Sequence, residues 1–199
     1  MTSLVHSIPQ SLVMGTGLLA LLTQHYALGF LFLAMIESSV VIGLLSSLQM
    51  AVTGKTSVPI PAQYNGKIPS TYQLALLSSS SSFPSGPTMF MGSIISYLLI
   101  SIQSFSDEME ELSKNNSDWA SRIPMAFGLG FTIMCLYMIW RVKNNYEGFI
   151  GSIGSALLGS LLGFLIYMIH SMAGNNRENV NILGVPLLED RSKFAVCTK

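Results

Sequence analysis

The sequence predicts an all-α membrane protein: a bundle of four transmembrane helices, or five if residues 11–22 also cross, with a long irregular Pro/Ser-rich loop. Three observations predict it. Half of the 199 residues are hydrophobic and only 10% are charged, against about 25% in soluble domains. Mean hydropathy is +0.52, and the apolar residues are gathered into runs near or above the ~18 residues that a bilayer-crossing helix needs. Polar residues and five of the eight prolines collect between those runs.

Taken in order, residues 11–22, "SLVMGTGLLALL", are apolar but short, and "TQHY" interrupts them. They are a separate span, an interfacial helix or part of one bent helix, and the choice decides on which side the N-terminus lies. Residues 27–52 are long enough to cross once, with tilt, at a rise of about 1.5 Å per residue. Residues 53–87 are too rich in proline for a continuous helix, although "TYQLALL" within them suits one short surface turn. Further spans are predicted over 88–105, 123–140 and 149–170, separated by the acidic connection 106–122 and the turn "VKNNYEG". Residues 1–171 thus form the membrane domain and 172–199 a polar tail with one apolar island, "ILGVPLL". Lys55 and Lys67, with Arg141 and Lys143, mark the side of the Pro-rich loop as cytosolic by the excess of bases near span ends. Asn115-Asn116-Ser117, the single glycosylation sequon, falls on the other side.

Composition excludes several function classes. Ten acids balance ten bases, and no basic arm interleaved with aromatics occurs, so no nucleic-acid partner is expected. Cys135 and Cys197 form neither a CxxC motif nor a disulfide framework. His6, His25 and His170 lie far apart in sequence without metal-site spacing, so neither a metal nor a cofactor is expected. The expected partners are the lipid bilayer and other proteins of a larger assembly.

The last span carries the most specific pattern. Gly151, Ser155, Gly159 and Gly163 recur every four residues, a continuous small stripe on which another helix backbone can approach closely. It serves packing against a neighbouring span, or self-association into a homo-oligomer or docking to a partner helix. Glu37 is the acid inside a predicted span, where a carboxylate costs about 2.5–3.5 kcal/mol. It therefore faces the bundle interior, tied to Ser38, Ser93, His25 or His170, or it relays protons or ions. The run Asp107, Glu108, Glu110 and Glu111 reads as a solvated helix end.

Residues 83–88, "FPSGPT", resemble a fragment of the Pro-Ser-Gly-His signature of the membrane phosphatidic-acid phosphatase superfamily. That family's chemistry needs a histidine where this chain has Pro87, and no Lys-x6-Arg-Pro motif precedes it. The resemblance therefore implies no phosphoryl transfer. Read from its residues, the stretch is a helix entrance: Pro84 and Pro87 stop backward extension, Gly86 permits the turn, and Ser85 or Thr88 caps the first N–H groups. A second resemblance rests on the glycine-stepped last span and on Gly184, Pro186, Leu187, Leu188, Asp190, Arg191 and Cys197. With these the chain is similar to small multi-span virion membrane proteins of large icosahedral DNA viruses. That implies a place in an inner membrane beneath a capsid, with exposed segments binding capsid or minor capsid proteins. The expected function is accordingly a non-enzymatic structural anchor or scaffold, whose tail docks to a partner through Leu183, Val185, Pro186, Leu187, Leu188 and Arg191. The alternative is a small transporter or channel using Glu37.

Overall fold

Four helices long and apolar enough to cross a membrane organise the chain in a computed structural model, which describes residues 8–53, 84–114, 117–119, 121–144, 146–173 and 177–185. The elements are α1 (Ile8–Thr23), α2 (Tyr26–Thr53), α3 (Gly86–Gln103), α4 (Ser106–Ser113), α5 (Arg122–Lys143) and α6 (Phe149–Met172). Short 3-10 turns cover Ser117–Trp119 and Arg177–Val180. No strand occurs among the described residues, and the protein is an all-α integral membrane bundle.

The segment left open in the sequence is a distinct helix. α1 has 16 residues, so it rises about 24 Å, short of the ~30 Å hydrocarbon core. Gln24, at φ 51°, reverses the chain, and α1 folds back on α2 as an αα-hairpin. Gly17 permits the contact: a Cβ there would stand 2.7 Å from the Phe32 ring. On α2, Ala27, Leu31, Ala34, Ser38 and Ile42 are buried at helical spacing, which makes one face of this uniformly apolar helix the inner one.

α3 is the centre of the bundle. Its N-terminal half, from Gly86 to Ile94, is buried without interruption, whereas α5 buries only Met134, Tyr137 and Arg141. The main partner of α3 is α6, which runs parallel to it, Ser85 lying beside Ser155 and Tyr97 beside His170, with α2 and α5 on its flanks. The acidic connection is more ordered than its composition suggests. α4 tucks Phe105 and Met109 under the bundle, both nearly inaccessible. Beyond α6, the Arg177–Val180 turn packs on α2 and α6, and Val180 and Val185 join the core. Asn181 holds the 181–185 turn, its Nδ2 donating to the Val185 carbonyl at 2.7 Å and its Oδ1 accepting from the Val185 N–H at 2.8 Å. Gly184 sits there at φ +62°, a conformation that favours glycine.

α6 starts beside the α3 entrance and runs away from it for 24 residues, about 36 Å. The bundle therefore has a loop end, where residues 54–83 lead into α3, and a tail end, where α6 leads to residue 185.

Candidate functional site

The loop end holds a buried ionic cluster. α3 begins at Gly86, with Ser85 as N-cap at φ −76°, ψ 118° and Pro87 in the first turn, where its missing N–H costs nothing. Neither hydroxyl caps the helix as the sequence led us to expect. Ser85 Oγ donates to Glu147 Oε1, and Thr88 Oγ1 donates to the same carboxylate at 2.9 and 2.7 Å. Arg141 Nε also donates to Glu147 Oε1. Donating to the carboxylate is a charge-assisted bond, stronger than accepting from a first-turn N–H, and it turns each hydroxyl away from the cap geometry. Ser85 also donates its backbone N–H to Ser155 Oγ at 2.7 Å. Ser85, Thr88, Arg141, Glu147 and Ser155 are all buried.

The fold brings these residues together through a tight connection. The Asn144 N–H closes the end of α5 on Trp140, and the Tyr146 N–H returns to the Arg141 carbonyl at 3.0 Å. Glu147 is thereby turned back over the last turn of α5. Arg141 lies 5.4 Å from the Tyr146 ring centre and 5.9 Å from that of Tyr137. The carboxylate neutralises the cation, while Arg141 Nη1 and the Tyr137 hydroxyl are buried without a hydrogen-bond partner; the described histidines, His25 and His170, stand at the tail end.

The tail end carries two looser clusters. Tyr97 OH and His170 Nδ1 are 3.0 Å apart, and His170 Nε2 stands 3.2 Å from Glu37 Oε2. That second approach is an ion-pair distance without hydrogen-bond alignment, and Nε2 makes no hydrogen bond. Phe30 packs edge-on to the imidazole at 5.1 Å. The Glu37 side chain is 37% exposed while that of His170 is 3% exposed. One turn further out, Arg177 Nη1 donates to Glu108 Oε1 at 2.8 Å and Nη2 to the Ser104 carbonyl at 2.6 Å. Glu108 is buried, so this member of the acidic run is not the solvated residue expected: the tail covers it.

Between the two ends, α3 and α6 touch backbone to backbone. A Cβ on Gly159 would overlap the Met89 carbonyl, one on Gly163 the Ser93 carbonyl, and one on Gly92 would lie 2.7 Å from the Ala156 oxygen. Ser155 sits in the same seam, whereas Gly151 has open space where its Cβ would be. Ser38 and Ser93 share a hydrogen bond of 2.7 Å across α2 and α3. Of the tail island, Val185 is buried in the bundle's own core and Leu183 is 40% exposed. Pro186, Leu187, Leu188 and Arg191 lie outside the described residues, as do the "TYQLALL" turn and the asparagines of the sequon.

Sequence reasoning did not bring Arg141 and Glu147 together. Arg141 read as a helix-ending base and Glu147 as a turn residue. The available signal was a base in the last turn of one span and an acid just before the next. Among the described residues no group of three His, Cys, Asp or Glu is placed to hold a metal ion. Compared with protein-family models, with curated proteins and with solved structures, the chain has no match in any of the three.

Proposed function

We propose that the protein is a non-enzymatic membrane anchor, a rigid bundle that holds polar segments on its two ends for a larger assembly. One observation carries this reading: polar side chains inside the bundle tie one element to another at three levels. Ser38 meets Ser93, Ser85 and Thr88 meet Glu147, and Tyr97 meets His170. A transported ion needs a polar path and an element with two arrangements. Here Met89 and Phe90, both buried, separate the Ser93 contact from the Thr88 cluster. The α3–α6 seam, with carbonyls against glycines, leaves little freedom for sliding. The resemblance of the tail and glycine-stepped helix to virion membrane proteins makes an inner membrane beneath a capsid the setting for this anchor, with capsid or minor capsid proteins as its partners.

The test is extraction of the tagged full chain from its native membrane in mild detergent. It should migrate with defined partner proteins, and removal of residues 186–199 should release them while the bundle keeps its helical content. Migration of the intact chain by itself would refute the anchor. A second reading, transport through Glu37, is favoured by the Glu37–His170–Tyr97 line. Purified protein in liposomes should then carry a pH-dependent flux that Glu37→Gln abolishes; the anchor reading expects none.

A further inference from the structure

We propose that a groove between α5 and α6, at the loop end, binds one anionic phospholipid, with an acyl chain in the groove and the headgroup phosphate at Lys143. The two helices touch sparingly and leave a groove of about 440 Å³, within the size range of small-molecule sites. Its walls are apolar, Cys135 and Met138 from α5, Phe149 and Ile153 from α6, with two polar exceptions, Lys143 and Ser152.

The exceptions point to the ligand. Lys143 is the last residue of α5 and is exposed. Among the described residues it has no ionic partner, whereas neighbouring Arg141 is neutralised by Glu147. Its level in the bilayer is marked by Trp140 and Tyr146, stacked with ring centres 5.3 Å apart, since aromatic and basic residues at helix ends concentrate at the headgroups. Cys135 lies eight residues back, about 12 Å deeper. The groove thus runs from headgroup depth into the hydrocarbon, the shape of a lipid chain rather than of a polar solute. Ser152 lines it one turn inside α6, is 1% exposed, and its hydroxyl has no hydrogen-bond partner. A phospholipid's ester carbonyls sit just below the phosphate and supply the acceptor that this buried donor lacks once its hydroxyl turns toward the groove. No acidic residue lines the groove, so Lys143 gives the site a positive mouth. The excess of bases that marks this end as cytosolic also sets it beside the more anionic leaflet.

Native mass spectrometry of the full chain decides, using phosphatidylglycerol and phosphatidylcholine with identical acyl chains. The wild type should retain one phosphatidylglycerol in preference to phosphatidylcholine. Lys143→Gln should weaken that retention about fivefold, the effect of one base near an anionic surface, and affect phosphatidylcholine, whose own choline cation offsets its phosphate, far less. Ile153→Trp, which fills the groove at a part-exposed position, should reduce retention of both lipids with Lys143 intact. Equal retention of the two lipids, no response to Lys143→Gln, or full retention in Ile153→Trp would each overturn the proposal. So would a dimer that persists in place of the bound lipid, because a second copy would then fill the groove.

Discussion

The two ends of the bundle solve the same problem, a charge brought to the edge of a membrane, in opposite ways. At the loop end Arg141 and Glu147 have side chains only 2% exposed, and two hydroxyls complete the carboxylate's shell. At the tail end each pair joins a buried group to an accessible one: His170 to Glu37, Glu108 to Arg177. The difference teaches where the fold is committed and where it is adjustable. A charge sealed on all sides cannot lose its partner without being stranded, whereas one with a wet partner falls back on water.

The sharpest way to break the contrast is Arg141→Leu. It strands Glu147 and should cost about 3–5 kcal/mol, the usual penalty for halving a buried pair. Thermal unfolding in detergent should show it, and Arg141→Leu combined with Glu147→Leu should recover much of the loss. If the single variant melted like the wild type, the loop end would be no more committed than the tail end. Next in size is Gly159→Val, which drives a side chain into the Met89 carbonyl. Overpacking typically costs about 1–3 kcal/mol, and because the obstacle is backbone the loss should reach the top of that range, a fall in melting temperature of about 6–12 °C at this chain length. Gly151→Val, with open space at its Cβ, should change stability far less, which separates the seam from helix propensity.

The tail end should yield smaller numbers. Arg177→Ala removes hydrogen bonds to a buried carboxylate and a carbonyl, for a cost of about 1.5 kcal/mol, and should raise hydrogen exchange over 177–185 before it affects the spans. Glu37→Gln keeps the shape of a side chain already part-exposed and should cost less than about 1 kcal/mol. A loss as large as that of Arg141→Leu would erase the distinction between the ends.

Much of this contrast lay beyond sequence reading, for a physical reason. The spans were legible because partition into lipid depends on local composition, and α2, α3, α5 and α6 follow the apolar runs to within a few residues at most ends. The Gly159 and Gly163 stripe was legible because its spacing is intrinsic to a helix; its partner, the Met89 to Ser93 carbonyls, was not, since nothing in α3 advertises an acceptor. Arg141 and Glu147 were hardest of all. Each is unremarkable in its own segment, and the six-residue turn that faces one to the other is a tertiary fact. Ser85 is the N-cap residue, but its hydroxyl was misread as the capping group for the same reason, since the carboxylate that takes it comes from another part of the chain. Glu108 looked solvated because the arginine that covers it arrives from beyond the last span.

The burial of the α3 entrance has a consequence for biosynthesis. Gly92 and Thr88 fit against α6 and the α5–α6 turn, which are made about sixty residues later, a delay of about 3–12 s at ordinary elongation rates. For that interval α3 waits in the translocation machinery or the lipid with the Thr88 hydroxyl and the bare backbone at Gly92 unmatched. Pausing a ribosome between α3 and α6 should leave α3 open to membrane quality-control proteases, and release of the pause should close that window as soon as α6 inserts.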